Sequence, residues 1–299
     1  MRTRVAIVIV TFNSADQIGA LLDSVPAAAG DVPVEIVVVD NGSTDDTVAV
    51  VERRTECRLV RETNRGYAAG INAGVRAAGA VSAILVLNPD CRLEAGAVPA
   101  LVRTMMRTGA GIVAPRVVDV EGNLTWSLRR TPTLGRASGL GFTGHPALSE
   151  YVTEPAAYTR AGVVDWALGA ALLVDAECHR ALGGWDESYF LYSEETDFCQ
   201  RAARAGWATW FAPDAAVVHV GGGSGQSPRT HAMQIVNRVR FYARGHSTPA
   251  AGLYFALVLA SELTWLVRGH QQSRASIAAL VRPRSRPAEL GCSTGLIPR

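Results

Sequence analysis

Side chains able to act as acids, bases or ligands recur in this chain where an apolar run stops or a helix starts. The uncharged run Val81 to Leu87 suits a strand covered on both faces. Pro89 forbids its ladder from continuing and biases Asn88 to an extended conformation. Asp90 is thereby held just beyond the carboxyl end of a core strand, the edge where open α/β sheets bind ligands. Glu35 to Val39 ends the same way, in Asp40-Asn41-Gly42-Ser43-Thr44-Asp45. Glu194, Glu195 and Asp197 crowd the start of a predicted helix that runs to about Ala205, and His219 falls in the short predicted strand Ala216 to Val220. Carboxylates and imidazoles in general transfer protons or hold cations. Each group here also has a plainer explanation: Asn-Pro-Asp is a common turn, acids in a first helical turn complement the dipole, and a lone strand histidine is ordinarily a satisfied core residue.

The elements that must position these groups alternate strand and helix. Val5 to Val10 is a continuous apolar strand, and Asn13 or Ser14 can cap a helix to about Val25. Cys57 to Val60 is a further short strand. In Asn64-Arg65-Gly66-Tyr67-Ala68-Ala69-Gly70-Ile71-Asn72-Ala73-Gly74, the glycines would let a helix pack closely on the sheet or on a ligand. The segment lacks the Gly-x-Gly-x-x-Gly dinucleotide fingerprint. Ala97 to Thr108 reads as a helix and Gly111 to Ala114 as a strand. The alternation predicts a parallel, right-handed α/β sheet with its ligand edge at the carboxyl tips. Val117 to about Gly162 is Gly-, Pro- and Thr-rich, a mobile connector with one hairpin around Glu121-Gly122-Asn123. Order returns at Val163 to Val174, a strand entering the core, followed by a helix from Asp175. Trp207 to Phe211 and Ala216 to Val220 read as two short strands, and Gly221 to Gly225 as a flexible loop.

Composition narrows the class. A hydrophobic fraction of 48% and a charged fraction of 19% over 299 residues describe a folded protein with a sizeable core. Net charge is only +2, and the 29 basic residues are all Arg, so nothing argues for nucleic acid as a partner. The five cysteines are scattered, without metal-type pairing, and fit a reducing cytosol; no signal peptide precedes the first strand.

The chain resembles the inverting nucleotide-sugar glycosyltransferases of family 2, of the GT-A fold, and most closely their rhamnosyltransferase-like branch. The resemblance rests on Val10-Thr11-Phe12-Asn13-Ser14, Asp40 to Asp45, Asn64-Arg65-Gly66-Tyr67, Gly70-Ile71-Asn72 with Gly74, and Leu87-Asn88-Pro89-Asp90. It continues through Trp166 with Gly169-Ala170, Gly183-Gly184-Trp185-Asp186-Glu187, Phe190-Leu191-Tyr192, Glu194-Glu195-Thr196-Asp197 and His219-Val220-Gly221-Gly222. The motifs follow in family order from about residue 4 to 225. The implied fold is a Rossmann-like, mostly parallel sheet flanked by helices, with a C-terminal helical extension. The implied units are a catalytic domain over 1–230, with a nucleotide-binding half (1–116) and an acceptor half (163–230), and an extension and tail over 231–299.

The implied activity moves a sugar from a dTDP- or UDP-sugar, with dTDP-L-rhamnose favoured, to a hydroxyl of a glycan, lipid-linked or small-molecule acceptor. The alternatives are a catalytically weak nucleotide-sugar-binding protein and a sugar-nucleotide pyrophosphorylase. By resemblance, Asp90 and His219 would hold Mn²⁺ or Mg²⁺ on the donor diphosphate, while Asn88, standing where the family's first metal-motif acid falls, would not touch the metal directly. Asp40 would accept the imide N–H of the base; Thr11, Phe12 and Asn13 would line base and ribose, with Asn64 or Arg65 near the phosphates. The family alignment puts the catalytic base on Glu195, with Glu194 and Asp197 as rivals. Trp166, Trp185 and Tyr192, with Gly169 and Ala170, would form the acceptor wall.

Beyond the motifs, Gln234 to Ala243 reads as a basic amphipathic helix with Arg238, Arg240 and Arg244, and Ala250 to Val267 is apolar around Glu262. The second segment is about as long as a membrane span, but its central acid suits an interfacial helix better. A helix packed on the catalytic domain or on a second copy fits equally. The expected location is cytoplasmic, with the inner membrane face as attachment surface. Residues after about Gln271 look like a mobile tail.

Overall fold

A computed structural model describes residues 3–221, 227–292 and 296. The glycines from Gly222 to Gly225, including Gly222 of the His219 motif, lie outside the described residues. The first half alternates as expected: β1 (Val5–Thr11), α1 (Ala15–Ala29), β2 (Val34–Asp40), α2 (Thr47–Glu52), β3 (Cys57–Arg61), α3 (Tyr67–Ala77), β4 (Ala83–Leu87), β5 (Cys91–Leu93), α4 (Ala97–Thr108) and β6 (Ile112–Val118). There follow β7 (Leu128–Arg129), α5 (Leu134–Ala137), β8 (Gly162–Val164), β9 (Trp166–Ala167), β10 (Ala171–Asp175), α6 (Ala176–Ala181), α7 (Glu194–Arg204) and β11 (Thr209–His219). Three helices end the chain: α8 (Pro228–Gly245), α9 (Thr248–Val267) and α10 (Ser273–Val281).

The main sheet runs β3-β2-β1-β4-β10-β6-β11-β5, with β8 on β11. β3, β2, β1 and β4 are mutually parallel, as are β6 and β11. β10 enters antiparallel between β4 and β6. β1 is buried at every position because both its faces are covered. Val5, Ile7 and Ile9 pack toward α1 and α4, while Ala6, Val8 and Val10 pack toward α3 and α7.

Several sequence expectations change here. Val163 to Val174 is not one strand but three short ones, because the chain bends at Leu168–Ala170 to pass the tip of β4. Thr209 to His219 is a single strand, bulged between Ala212 and Ala216 where Pro213 cannot donate to the ladder. The connector after Val117 is tied down: the expected hairpin forms through the Val118–Leu124 bridge, and the buried Tyr158 hydroxyl accepts from the Leu128 amide and donates to Val152 O. The arginines of α8 are paired within the fold, Arg238 in the interior and Arg244 at the surface. Arg238 pairs with Glu150 and donates to the Tyr254 hydroxyl, Arg240 donates to Asn237 and Ser188 O, and Arg244 pairs with Asp186. They therefore do not form a basic face toward a membrane. Residues after Gln271 include α10, whose Ser276, Ala279 and Leu280 are buried against the preceding helices, so this part of the tail is packed.

The α3 glycines have a steric reason. A Cβ on Gly74 would lie 2.4 Å from Val8 Cγ1 and 3.0 Å from Val39 Cγ2, and one on Gly70 2.6 Å from Val10 Cγ1. α3 thus lies directly on β1 and β2. In an exposed helix Gly→Ala would stabilise by about 1 kcal/mol. Here overpacking should win, and Gly74→Ala is expected to destabilise by about 1–3 kcal/mol, read as a lower Tm in thermal unfolding; a raised Tm would refute the close-packing account.

Candidate active site

The tip of β4 is where the site begins. Asn88 N donates to Ala170 O, and the Asn88-Pro89-Asp90 turn sends the chain back as β5. β5 pairs antiparallel with the end of β11, with Cys91 opposite His219. That register carries two distant residues to one point: His219 Nε2 lies 3.2 Å from Asp90 Oδ1, and Asp90 is only 5% exposed. Asp90 Oδ1 has no hydrogen-bond partner otherwise among the described residues. A buried carboxylate oxygen with an imidazole beside it and nothing else to satisfy it suits a divalent cation. Cys91 Sγ is close enough to share such a site, but it donates to Ala170 O and burial pushes the thiol well above its ordinary range, so it stays protonated. Asp90 and His219 are the pair that could hold the ion.

The second cluster is delivered by a loop clamped to α3. Asn72 is bidentate to Trp185, donating to its carbonyl and accepting from its amide. Gly66, at φ +99°, lies so close to Phe190 that a Cβ would meet its carbonyl oxygen at 2.4 Å; Tyr67 N donates to the same oxygen. The buried Asn237 of α8 donates to Leu191 O and Tyr192 O. Between these clamps Tyr192 and Ser193 are both left-handed, at φ 68° and 72°, which costs non-glycine residues about 1–3 kcal/mol each. The strained corner starts α7 with Glu194 and Glu195 turned into a cavity of about 1250 Å³, shared with Asp90 and His219.

Glu194 is buried and Glu195 half-buried, and each keeps one buried oxygen without a hydrogen-bond partner among the described residues. Burial and the neighbouring Glu195 push the Glu194 carboxyl well above the usual carboxylate range. Burial also raises Glu195, but its own amide, the Arg129 charge and the Gly169 amide oppose the rise. Environments that differ in this way can separate a carboxyl pair into an acid and a base. Gly169 lies against Glu195, where even an added Cβ would be 3.5 Å from Glu195 Cβ.

The remaining expected residues divide cleanly. Thr11, Phe12, Asn13, Asn64 and Asn88 line the cavity beside Asp90, and Trp166, Gly169, Ala170 and Tyr192 line it beside Glu195. Four others do not line it. Asp40 accepts from Thr11 Oγ1, the Gly42 and Ser43 amides and Ser43 Oγ, so its carboxylate organises its own loop. Arg65 pairs with Glu187 at 3.0 Å. Trp185 stacks on Phe198, ring centroids 4.5 Å apart, within the core. Asp197 binds Arg201 at 2.6 Å, and Arg201 in turn holds Leu182 O and Gly184 O. As a rival to Glu195, Asp197 is on the wrong face of α7.

Three cavity residues had no assigned role in the sequence. Tyr67 donates to Gly169 O, and its hydroxyl is pushed well above its ordinary value by burial and by Cys91, Glu194, Glu195 and Asp90, so it lies between the two clusters. Its place directly after Gly66 was the available signal. Asn41 donates to Gly66 O. Arg129 had no motif to mark it.

Solved structures of the same fold make the class plain. The chain superposes on a Pyrobaculum calidifontis mannosyltransferase, solved with GDP-Man and Mn²⁺, with TM-score 0.59 at 18% identity, covering 99% of this chain and 84% of that one. It superposes on GalNAc-T7, solved with UDP, GalNAc and Mn²⁺, with TM-score 0.60 at 16% identity, over 80% and 47%. The fold is GT-A. The chain belongs to glycosyl transferase family 2, whose model matches residues 6–162. It is 30% identical to the N-acetylglucosaminyl-diphospho-decaprenol L-rhamnosyltransferase of Mycobacterium tuberculosis, over 95% of this chain and 96% of the relative. It is also 30% identical to the low-salt glycan biosynthesis hexosyltransferase Agl10 of Haloferax volcanii, over 67% and 61%.

Because the Asp90 carboxylate has no partner other than His219 among the described residues, Asp90→Ala should leave the fold intact. With a nucleoside diphosphate present, it is expected to weaken Mn²⁺ binding by at least about tenfold, since even outer-shell changes cost that much. Unchanged affinity in calorimetry would remove Asp90 from the metal site.

Proposed function

We propose that this glycosyltransferase is an inverting, metal-dependent rhamnosyltransferase that uses dTDP-L-rhamnose and glycosylates a lipid-linked sugar diphosphate. The observation that carries the proposal is the Glu195 carboxylate, half-buried and opposed to the Asp90–His219 pair in one cavity. Glu195 takes the proton of the acceptor hydroxyl as that oxygen bonds to the donor's anomeric carbon and the bond to the diphosphate breaks. A single displacement from the face opposite the leaving group inverts the carbon. Mn²⁺ or Mg²⁺ held by Asp90 and His219 would supply positive charge to the departing diphosphate. Thr11, Phe12 and Asn13 hold the nucleoside, and Trp166 offers its ring to the acceptor sugar while its indole N–H stays bound to Arg130 O. Donor and acceptor follow the mycobacterial relative, which matches over nearly its whole length.

Purified protein with Mn²⁺ should transfer rhamnose from its dTDP donor to a short-chain prenyl-diphospho-N-acetylglucosamine. Failure of transfer and of donor hydrolysis across dTDP-, UDP- and GDP-sugars would overturn the assignment. Glu195→Gln should lower kcat by on the order of 10² to 10⁴ with donor affinity retained. Glu195 must be ionised to act and its pKa is raised, so wild-type kcat should be lost on acidification starting above the ordinary carboxylate range. Asp197→Asn should instead cost stability, through Arg201.

We also infer attachment to a membrane surface through α9. By length and composition this helix could cross a membrane, with mean hydropathy 1.7, but Tyr254, Val258 and Glu262 on one side are buried against the protein. The other side exposes Leu253 (51%), Leu263 (47%) and Val267 (88%). Trp265 of α9 and Phe142 of the connector are both exposed and both line the cavity, so lipid and site would share an edge. Such a helix lies in the interface plane rather than across it. Leu253→Glu with Leu263→Glu should shift the protein from membrane pellet to supernatant; an unmoved pellet fraction with folded protein would exclude this face. A second copy on the same stripe would instead appear as a dimer that the double variant dissociates.

A further inference from the structure

The cavity is larger than one nucleotide sugar requires: ligand sites commonly run roughly 300–1000 Å³, and this one is about 1250 Å³. The lining contributed by the connector and the C-terminal helices includes five basic groups. Three are neutralised in place: Arg229 by Glu289 at 2.5 Å, Arg238 by Glu150 at 2.5 Å, and His231 by Glu262 at 3.1 Å. Arg129 and Arg136 are different. Neither has a carboxylate within ion-pair distance among the described residues.

Arg129 is only 8% exposed. Its backbone is held in β7 opposite Trp166 and bridged to Tyr151, and its guanidinium carbon lies over the Tyr151 ring, 3.9 Å from the centroid, with the Trp166 ring at 5.9 Å. One terminal nitrogen, Nη1, donates to the carbonyls of Trp126 and Leu128. The other N–H groups have no protein partner among the described residues. A guanidinium fixed on its face and along one edge, with the other edge free and its charge uncompensated, is built to grip an anion through parallel N–H bonds. Burying such a charge without a counter-ion is costly, so an anion is expected to complete it. Arg136, on α5 in the same connector, spends Nη1 on Thr131 O and Nε on Pro146 O and faces the same space. The donor's diphosphate has its own place at the Asp90 end, with Asn88 and His219.

We propose that Arg129 and Arg136 form a second anion subsite, which receives the diphosphate of the acceptor and so places the acceptor's sugar hydroxyl at Glu195. The assignment rests on the lipid-linked sugar diphosphate reading above. Arg129 and Arg136 line the same cavity as Glu195, and so do the exposed apolar side chains Phe142 and Trp265; on this reading sugar, diphosphate and lipid would occupy the cavity in that order. Arg129 also influences Glu195, whose carboxyl it favours in the charged form. A purely electrostatic role toward the base is therefore the competing account.

The test is calorimetric binding of short-chain prenyl-diphospho-N-acetylglucosamine to full-length protein saturated with dTDP and Mn²⁺, beside binding of dTDP itself. Arg129→Gln and Arg136→Gln are each expected to weaken acceptor binding at least tenfold, with dTDP affinity unaltered. In turnover, the loss in kcat/KM for the diphosphate acceptor should exceed by at least tenfold that for the octyl glycoside of the same sugar, most of it in KM. Equal losses with both acceptors, or acceptor binding equal to wild type, would overturn the subsite. A matching loss of dTDP affinity would reassign the arginines to the donor and overturn it too. If Arg129→Gln does not fold, Arg136→Gln, at the partly exposed rim, decides by the same comparison. Wild-type protein that binds the diphosphate acceptor without transferring sugar to it would refute the rhamnosyltransferase reading while leaving the subsite standing.

Discussion

The two-way bond between Asn72 and Trp185 is the contact on which the catalytic geometry hangs. Asn72 is on α3, which the Gly70 and Gly74 contacts press directly onto β1 and β2, so its side chain has little freedom. Through it, the loop ahead of α7 inherits the position of the central sheet. Gly184 follows from the same bond: at φ +86°, a Cβ there would approach Asn72 Oδ1 to 2.8 Å. Glu187 continues the clamp, accepting from Asn72 and pairing with Arg65. Residues that look like ligand-binding motifs in the sequence thus serve to bring the Asp90 and Glu195 clusters to a fixed separation across the cavity.

Fixing that loop permits what would otherwise be unfavourable. Two consecutive left-handed non-glycine residues and two adjacent glutamates, one buried and one half-buried, all cost folding free energy. They persist because Asn237, Phe190 O and the apolar cluster around Tyr242 and Tyr254 hold the loop from the other side. The C-terminal helices are therefore part of the wall behind the base rather than an appendage to it. Stored strain of this kind is typical of sites that must keep a carboxyl group dry and aimed.

Much of this was legible in the residues. The apolar runs of β1, β2 and β4 and the acids at the tips of β2 and β4 gave the sheet and its working edge, because continuous apolar strands imply cover on both faces. The convergence of Asp90 with His219 followed from ordered motifs and was realised through the β5–β11 register. What resisted was anything decided by direction or by distant partners. Four apolar residues and an acid, Ala171 to Asp175, do not announce that they run antiparallel. Asp40, Asp197 and Arg65 have the chemistry of ligand contacts, yet amides and counter-charges supplied by the fold use them up. The α8 arginines look solvent-facing until Glu150 and Asp186, far off in sequence, meet them. Arg129 carries no local signal at all, since its meaning lies in the absence of a carboxylate.

The antiparallel entry of β10 between β4 and β6 also governs how the chain can assemble. β6 follows β4 closely in sequence but does not touch it in the sheet; it pairs with β10 and β11, both made much later. While the chain emerges from the ribosome, β4 therefore presents an unpaired inner edge, and β6 has no partner, until the connector and Ala171–Asp175 have been synthesised. Long-range closure of this type slows folding and leaves apolar strand edges open to wrong partners. The half of the sheet that carries Asp90 therefore cannot be completed ahead of the half that carries Glu195, and the cavity between them forms only in a late event.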